Sequence, residues 1–175
     1  INEKLSLKMR NAEDAEATFL LIDKNREHLK PWLPWVDTTL TPEDTKKYLE
    51  RELEKFEKKT AVDLGILYDG EWIGAIAFHT IDLKNEWAEI GYWMAKDYEG
   101  KGIMTECVRV IIKYGFSDLN LHRIQIECDD SNVRSKAIPE KLGFKLEGIT
   151  RENRKKEGGF SNGLTFGLLR TEWGY

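Results

Sequence analysis

Hydrophobic residues recur along the chain with two periods, and the change from one period to the other predicts the secondary structure. Alternating apolar and polar residues predict a strand near residues 5–9, and apolar residues three or four positions apart predict a helix over residues 12–22. Thr41 followed by Pro42 is typical of a helix start, and we expect the helix that it opens to last until about Lys59. The chain therefore begins with a strand and two helices.

Three alternating runs follow between residues 61 and 95. The first two are joined by Asp69-Gly70, which is a strong hairpin signal, and the next turn falls at residues 82–85. These runs predict an antiparallel meander.

The second half of the chain mixes helices and strands. Helices are predicted at residues 103–118 and 132–142, and strands at residues 122–128, 144–154 and 160–169, the last two joined across Gly158-Gly159. A strand, a helix and a further strand in that order favour a right-handed crossover, which makes strands 86–95 and 122–128 parallel neighbours. We therefore expect a single domain, residues 1–175, of the α+β class with a mixed, largely antiparallel sheet of seven strands.

The most informative segment joins a strand to a helix through two glycines. Gly100 and Gly102 let the backbone approach an anion, and the free N–H groups of the next helical turn point at it together with the positive end of the helix dipole. Lys101 adds a mobile positive charge. A second motif, Asn132-x-x-Ser135, opens a later helix. The two motifs together predict a site for a phosphate-bearing ligand.

Composition and charge narrow the function further. A net charge of −4 gives no general attraction for nucleic acid, and no apolar run approaches the roughly 18 residues of a membrane span, so we expect neither partner and a cytoplasmic protein. The three histidines have no metal-ligand spacing, so no metal is expected. Cys107 and Cys128 are expected to be reduced and packed, and the basic stretch around residues 151–156 is expected to be solvated.

The order of elements and four motifs resemble the GNAT superfamily of acetyl-CoA-dependent N-acetyltransferases over nearly the full length. The motifs are residues 31–35, residues 89–93, residues 100–106 and Asn132-x-x-Ser135. Within the superfamily they resemble the RimJ/RimL branch, which acetylates the N-terminal amines of ribosomal proteins. The resemblance implies helices on both faces of the sheet, a central parallel pair of strands that splays apart, acetyl-CoA as co-substrate, and an amine acceptor such as the N-terminus of a ribosomal protein.

The resemblance also implies roles for residues. Glu89 is the expected general base, Ser135 the expected proton donor to the coenzyme sulfur, and the unpaired strand end near Met94 the expected oxyanion site. The residues expected to bind the coenzyme are Trp93, Met94, Ala95, Gly100, Lys101, Gly102, Ile103, Met104, Thr105, Asn132 and Ser135. Those expected to contact the acceptor are Trp32, Trp35, Glu89 and Tyr92.

Three positions depart from the family pattern. Asp97 stands where superfamily members commonly carry Gln or Arg, and Asn162 stands where many relatives in the branch have Asp. Pro139 lies inside a predicted helix, where it cannot donate to the carbonyl of Ser135, so we expect that carbonyl to be free for a ligand.

Several alternatives stay open from the sequence. An α-amine costs roughly 0.5 kcal/mol to deprotonate at about pH 7.4 and a lysine amine roughly 4 kcal/mol, so a weak base suffices for an N-terminus, yet polyamines, aminoglycosides and amino-acid-like acceptors remain. A regulator that binds acyl-CoA without catalysis is another alternative. A dinucleotide oxidoreductase is disfavoured because the third glycine of its fingerprint is missing. Residues 31–35, which hold Trp32 and Trp35 and are called the tryptophan segment below, and residues 168–175 could pack against another copy of the chain or complete the monomer core.

Overall fold

The computed structural model describes residues 1–156 and 158–174, and within them seven strands form one sheet in the order β1-β2-β3-β4-β5-β7-β6. All neighbours are antiparallel except β4 and β5, which are parallel, as predicted. The strands are β1 (Leu5–Met9), β2 (Val62–Tyr68), β3 (Glu71–Asp82), β4 (Trp87–Met94), β5 (Arg123–Asp129), β6 (Lys145–Lys156) and β7 (Gly159–Leu169). Glu157, in the predicted final hairpin, and Tyr175, in the predicted C-terminal packing segment, lie outside the described residues.

The helices within these residues are α1 (Ala15–Lys24), α2 (Arg26–Leu29), α3 (Pro42–Glu57), α4 (Ile103–Ser117) and α5 (Val133–Lys141). The predicted start of α3 is confirmed, because the Thr41 side chain accepts from the Asp44 N–H and the Asp44 carboxylate accepts from the Thr41 N–H. This helix ends two residues before the expected Lys59. The described residues include no helix with the length and apolar character needed to cross a membrane.

The helices cover both faces of the sheet. Phe78 of β3 lies against α4, where a methyl group on Gly115 would come within 2.9 Å of its ring. Asp63 of β2, which pairs with Ala77, accepts a hydrogen bond from Tyr48 of α3. Because neighbouring residues of a strand point to opposite faces, α3 and α4 lie on opposite sides of the sheet.

The main core lies between the sheet and α4. Its fully buried side chains include Phe78, Ile90, Ile111, Ile112, Ile124 and Ile126. Burying each such side chain stabilises the fold by about 1.5–3 kcal/mol, so this layer fixes the central strands. Cys107 and Cys128 are free and buried, which confirms the prediction of reduced, packed thiols.

The central parallel pair opens into a seam. β4 and β5 are paired only from Trp87 opposite Arg123 to Ile90 opposite Ile126. Beyond that point β4 pairs only with β3, while β5 stays paired with β7 as far as Asp129. The last four residues of β4 therefore face a gap on the β5 side, which confirms the expected splay.

Candidate active site

A cavity of about 810 Å³ passes through the seam and reaches both faces of the sheet. Most of the residues singled out from the sequence line it: Trp32, Trp35, Glu89, Tyr92, Trp93, Met94, Gly100, Gly102, Ile103, Met104, Thr105, Asn132 and Ser135. Two others are engaged elsewhere. Ala95 is buried and donates its N–H to Ile73, and the Lys101 ammonium lies 5.1 Å from the centre of the Tyr98 ring.

The glycine turn after β4 has the geometry of an anion site. Gly100 and Gly102 have φ values of 73° and 76°, in the left-handed region that glycine adopts without strain. Gly102 is the N-cap of α4 and has no side chain to occupy the first N–H groups of the helix. The N-terminus of α4 therefore presents free donors and a positive dipole to the cavity.

The main chain of β4 also presents a donor to the seam. The Ala95 N–H donates to the Ile73 carbonyl of β3 at 2.8 Å. Successive N–H groups of a strand point to opposite edges, so the Met94 N–H points away from β3 and toward the gap. It lies where an oxyanion could be stabilised.

One face of the seam carries the Tyr92–Ser135 pair. Tyr92 follows the α4-facing Ile90 by two residues, so its ring lies on the face of the sheet that carries α4. Its hydroxyl donates to the Ser135 carbonyl at 3.1 Å, and the Ser135 hydroxyl donates to the Tyr92 oxygen at 3.3 Å. The expectation that Pro139 leaves the Ser135 carbonyl free is therefore wrong, because the phenol of Tyr92 replaces the missing helical donor. Burial raises the pKa of Tyr92, so its hydroxyl stays protonated.

The Asn132 side chain caps α5. Its Oδ1 accepts from the Ser135 N–H at 3.1 Å, as is typical of an asparagine at a helix start. The cap fixes the first turn of α5 against β4, and it leaves the amide nitrogen of Asn132 beside the cavity.

The other face of the seam carries a carboxylate beside an imidazole. Glu89 Oε1 lies 3.4 Å from His79 Nε2, and Gln125 Nε2 donates to Glu89 Oε2 at 3.1 Å. A β-bulge between Phe78 and Thr80 displaces His79 toward β4. Gly91 makes room for the ring, since a methyl group there would lie 2.8 Å from His79 Cδ2.

Glu89 is ionised in this setting. Burial opposes ionisation, but the hydrogen bonds from His79 and Gln125 and the nearby positive charge of Arg154 outweigh it, and the pKa of Glu89 falls below its usual 4.5. Its side chain is only 18% exposed, against 44% for His79. Glu89 is thus a shielded but weak base. His79 escaped the sequence reasoning because a bulge cannot be read from alternation and the histidines were weighed only as metal ligands.

The far end of this face is polar and paired. Arg10 Nε donates to Asp63 Oδ1 at 2.8 Å, and Tyr48 donates to Asp63 Oδ2 at 2.7 Å. Thr45 lies three residues before Tyr48 on α3 and is 2% exposed. Its Oγ1 and Arg154 Nε are the buried side-chain atoms without a hydrogen-bond partner in the described residues, and both residues line the cavity.

The basic stretch of β6 was expected to be solvated, but its last residue, Lys156, makes several contacts with other parts of the chain. Lys156 Nζ lies 3.0 Å from Asp129 Oδ2, donates to Ser131 at 2.8 Å and sits 4.0 Å above the Trp32 ring. Burial disfavours the Asp129 carboxylate, but hydrogen bonds from Ser131, Ser161 and Lys156 together lower its pKa to about 2. Lys156 therefore ties the last hairpin to the tryptophan segment across the end of the seam.

The tryptophan segment forms part of the cavity wall. Trp35 lies in a short 3₁₀ helix, Pro34–Asp37, and packs edge-on against Trp93 with ring centres 6.1 Å apart. Trp35 remains 37% exposed. The tryptophan segment therefore both packs against β4 and lines the cavity.

Two departures from the family pattern now have a place in the structure. The Asn162 amide donates to Asp130 Oδ2 at 2.7 Å, and its oxygen accepts from the Glu152 N–H at 2.9 Å, so Asn162 joins the last hairpin to the loop after β5. Asp97 lies in a 3₁₀ turn, Lys96–Tyr98, ahead of the glycines. Residues 1–156 and 158–174 contain no cluster of three or more side chains suited to a metal ion.

Comparison with known proteins gives a consistent result. The acetyltransferase (GNAT) domain family matches residues 4–145. The chain is 35% identical to the putative ribosomal N-acetyltransferase YdaF of Bacillus subtilis, over 99% of this chain and 95% of that protein. It is 29% identical to the ribosomal-protein-serine acetyltransferase of Escherichia coli, over 87% and 85%.

A solved structure of similar fold carries a coenzyme. The microcin C7 self-immunity acetyltransferase MccE, in complex with acetyl-CoA and AMP, superposes with a TM-score of 0.88 and 27% identity, over 96% of this chain and 93% of that one.

Proposed function

Because this chain belongs to the acetyltransferase (GNAT) domain family, we propose that its single domain, residues 1–175, acetylates the N-terminal α-amine of a protein such as a ribosomal protein. The chain is an N-acetyltransferase and acetyl-CoA is its co-substrate. The observation that carries the proposal is the seam between the last residues of β4 and β5, which is open to both faces of the sheet. An acceptor of this kind places the enzyme in the cytoplasm.

The coenzyme lies on the face that carries α4 and α5. The main-chain N–H groups from Gly100 to Thr105 hold the pyrophosphate at the start of α4. The pantetheine arm pairs with the free edge of β4 at Trp93 and Met94, and the Asn132 amide donates to one of its carbonyls. Ile103 and Met104 are buried beneath the turn and support it.

The acceptor enters from the opposite face, beside Glu89. The amine nitrogen attacks the thioester carbonyl carbon directly in a ternary complex, and the Met94 N–H stabilises the oxyanion that forms. The carbon–sulfur bond then breaks, and the departing thiolate takes a proton from the Ser135 hydroxyl, which regains a proton from solvent water. Glu89 accepts the proton released by the amine, directly or through a water molecule.

The weakness of the base favours an α-amine. A carboxylate with a pKa below 4.5 takes a proton readily only from an amine that is already easily deprotonated. The cost at about pH 7.4 is roughly 0.5 kcal/mol for an α-amine and roughly 4 kcal/mol for an alkylamine such as lysine. Arg154, whose Nε is buried in the cavity, disfavours a polycation and can donate to a peptide carbonyl.

A transfer assay tests the proposal. The protein is incubated with acetyl-CoA and either peptides that carry one free N-terminus and one lysine, or spermidine, or an aminoglycoside. We expect CoA release with acetyl on the peptide N-terminus, located by mass spectrometry. Transfer to the small amines alone would overturn the proposal that the acceptor is a peptide N-terminus. CoA binding without transfer to any amine would favour the alternative of a regulator that binds acyl-CoA without catalysis.

A further inference from the structure

A row of polar contacts leads away from Glu89 across the acceptor side of the sheet. Glu89 of β4 pairs with Gln125 of β5, and Gln125 pairs with Gly167 of β7, so the three lie in one row on the same face. The space above Gly167 holds the Arg123 guanidinium and the Glu147 carboxylate, and a methyl group on Gly167 would overlap both. Glu89 lines the cavity, whereas Gln125 and Arg123 do not.

Arg123 fixes the orientation of the Gln125 carboxamide. Arg123 Nη2 donates to Gln125 Oε1 at 3.2 Å, and Gln125 Nε2 donates to Glu89 Oε2 at 3.1 Å. A guanidinium has donors and no acceptor, so the amide oxygen has to face Arg123 and the amide nitrogen has to face Glu89. Glu147 holds the guanidinium from β6, with Arg123 Nη1 donating to its Oε1 at 2.7 Å. Glu147→Gln would still offer an oxygen to Arg123, so this link does not need a charge at position 147.

The two oxygens of Glu89 therefore differ. Oε2 always meets an N–H donor, because an inverted amide would set its oxygen against the carboxylate and its NH₂ group against the guanidinium. Hydrogen bonds to the charged form of a carboxylate favour that form, so a proton on Oε2 is disfavoured. Oε1 lies 3.4 Å from His79 Nε2. An imidazole nitrogen can either donate or accept, so Oε1 can take up a proton without losing its partner.

We propose that Arg123 and Gln125 are positioning residues, which hold Glu89 so that the proton released by the amine arrives at its Oε1 atom. This inference rests on the proposed role of Glu89 as the general base. Because neither residue lines the cavity, each acts through the next one, Arg123 on Gln125 and Gln125 on Glu89. Removing either should therefore slow the chemical step and leave the binding of acetyl-CoA unchanged.

Methionine substitutions, which keep much of the length of each side chain, test the assignment in the full chain. Gln125→Met removes both hydrogen bonds of the carboxamide, so kcat with a peptide N-terminus should fall about tenfold while the Kd of acetyl-CoA stays the same. Arg123→Met leaves the amide free to turn and should lower kcat about threefold. Arg151→Met, at an exposed position on β6, should change neither kcat nor Kd.

Double-mutant cycles separate positioning from a general loss of structure, and thermal melts establish that each variant is folded at the assay temperature. Arg123→Met should cost nothing further in kcat once Gln125→Met is present, and Gln125→Met should cost nothing further in Glu89→Gln. An unchanged kcat in Gln125→Met, or the same loss from Arg123→Met with and without Gln125→Met, would overturn the positioning role while leaving the acetyltransferase intact. A wild-type protein that acetylates no amine would overturn the proposed function and the positioning role together.

Discussion

The two halves of the cavity are built from different parts of the chain. The half in which we propose that the coenzyme binds, the coenzyme half, lies on the face of α4 and α5 and presents main-chain groups, chiefly the turn around Gly102 and the free edge at Met94. The half that we propose for the acceptor, the acceptor half, lies on the face of α1 and α3 and presents side chains such as Thr45, Asp63 and Glu89 from separate elements. Main-chain donors survive most substitutions and side chains do not. The acceptor half can therefore change while the coenzyme half stays the same.

The largest effect is expected on the unfolding free energy, at a residue of the acceptor half that also holds the fold together. Asp63→Ala leaves Arg10 buried without its partner, and removing one member of a buried ion pair costs about 3–5 kcal/mol of unfolding free energy. Urea denaturation measures the loss. Replacing both residues, in Arg10→Met with Asp63→Leu, should recover much of it. A loss below about 1 kcal/mol in Asp63→Ala would show that this end of the cavity does not hold the fold together.

The next largest effect separates chemistry from coenzyme binding. Glu89→Gln keeps the shape and the contact with Gln125 but removes the proton acceptor, so kcat/KM for a peptide should fall by about 100-fold at neutral pH while the Kd of acetyl-CoA stays the same. The deficit should shrink at high pH, where the amine arrives neutral. Glu147→Gln, on β6 and paired with Arg123, is the control. An unchanged pH–rate profile in Glu89→Gln would show that Glu89 takes no part in the proton transfer.

A smaller effect is expected from the contact between Lys156 and Asp129 across the end of the seam. The pKa of Asp129 is about 2 in the folded chain against 3.8 for the free side chain, so its carboxylate stabilises the fold above about pH 4, and this contribution is lost as the pH falls through 2. Asp129→Asn should therefore lower the unfolding free energy by about 2 kcal/mol at pH 7 and by progressively less toward pH 2. Denaturation at several pH values measures this, and a pH-independent difference would contradict it.

The smallest effect tests the main-chain half. Gly102 has a φ of 76°, and a residue with a Cβ pays about 1–2 kcal/mol in that region, so Gly102→Ala should weaken acetyl-CoA binding about tenfold by distorting the turn. Calorimetric titration measures the affinity. Gly148→Ala is the matched control, since Gly148 lies on β6 with an ordinary φ and open space around its Cα. Equal affinities in both variants would show that the turn tolerates side chains and does not shape the coenzyme site.

The same contrast explains what could be predicted from the sequence. The seven strands, the parallel pair and the anion turn follow from local patterns: alternation, the Asp69-Gly70 hairpin and the spacing of Gly100 and Gly102. Main-chain sites leave such signals because they depend on glycines and helix starts. Most of the coenzyme half could therefore be predicted from the sequence alone.

The acceptor half left few signals. Arg10, Thr45 and Asp63 meet only because β1, α3 and β2 pack together, and no local spacing relates them. His79 reaches Glu89 through a bulge, which shifts the register without a marker in the residues. One contact of the coenzyme half was missed for the same reason: the Ser135 carbonyl that Pro139 was expected to leave free accepts a hydrogen bond from Tyr92, which comes from a distant strand.

The central claim is that thioester and amine meet at the Met94 N–H, between the two halves of the cavity. A crystal structure of the protein with acetyl-CoA tests it most directly. The account predicts the pyrophosphate on the N–H groups from Gly100 to Thr105 and the thioester oxygen at about 2.9 Å from the Met94 nitrogen. Coenzyme bound away from the turn, or strands β4 and β5 paired to their ends with no gap at Met94, would contradict it.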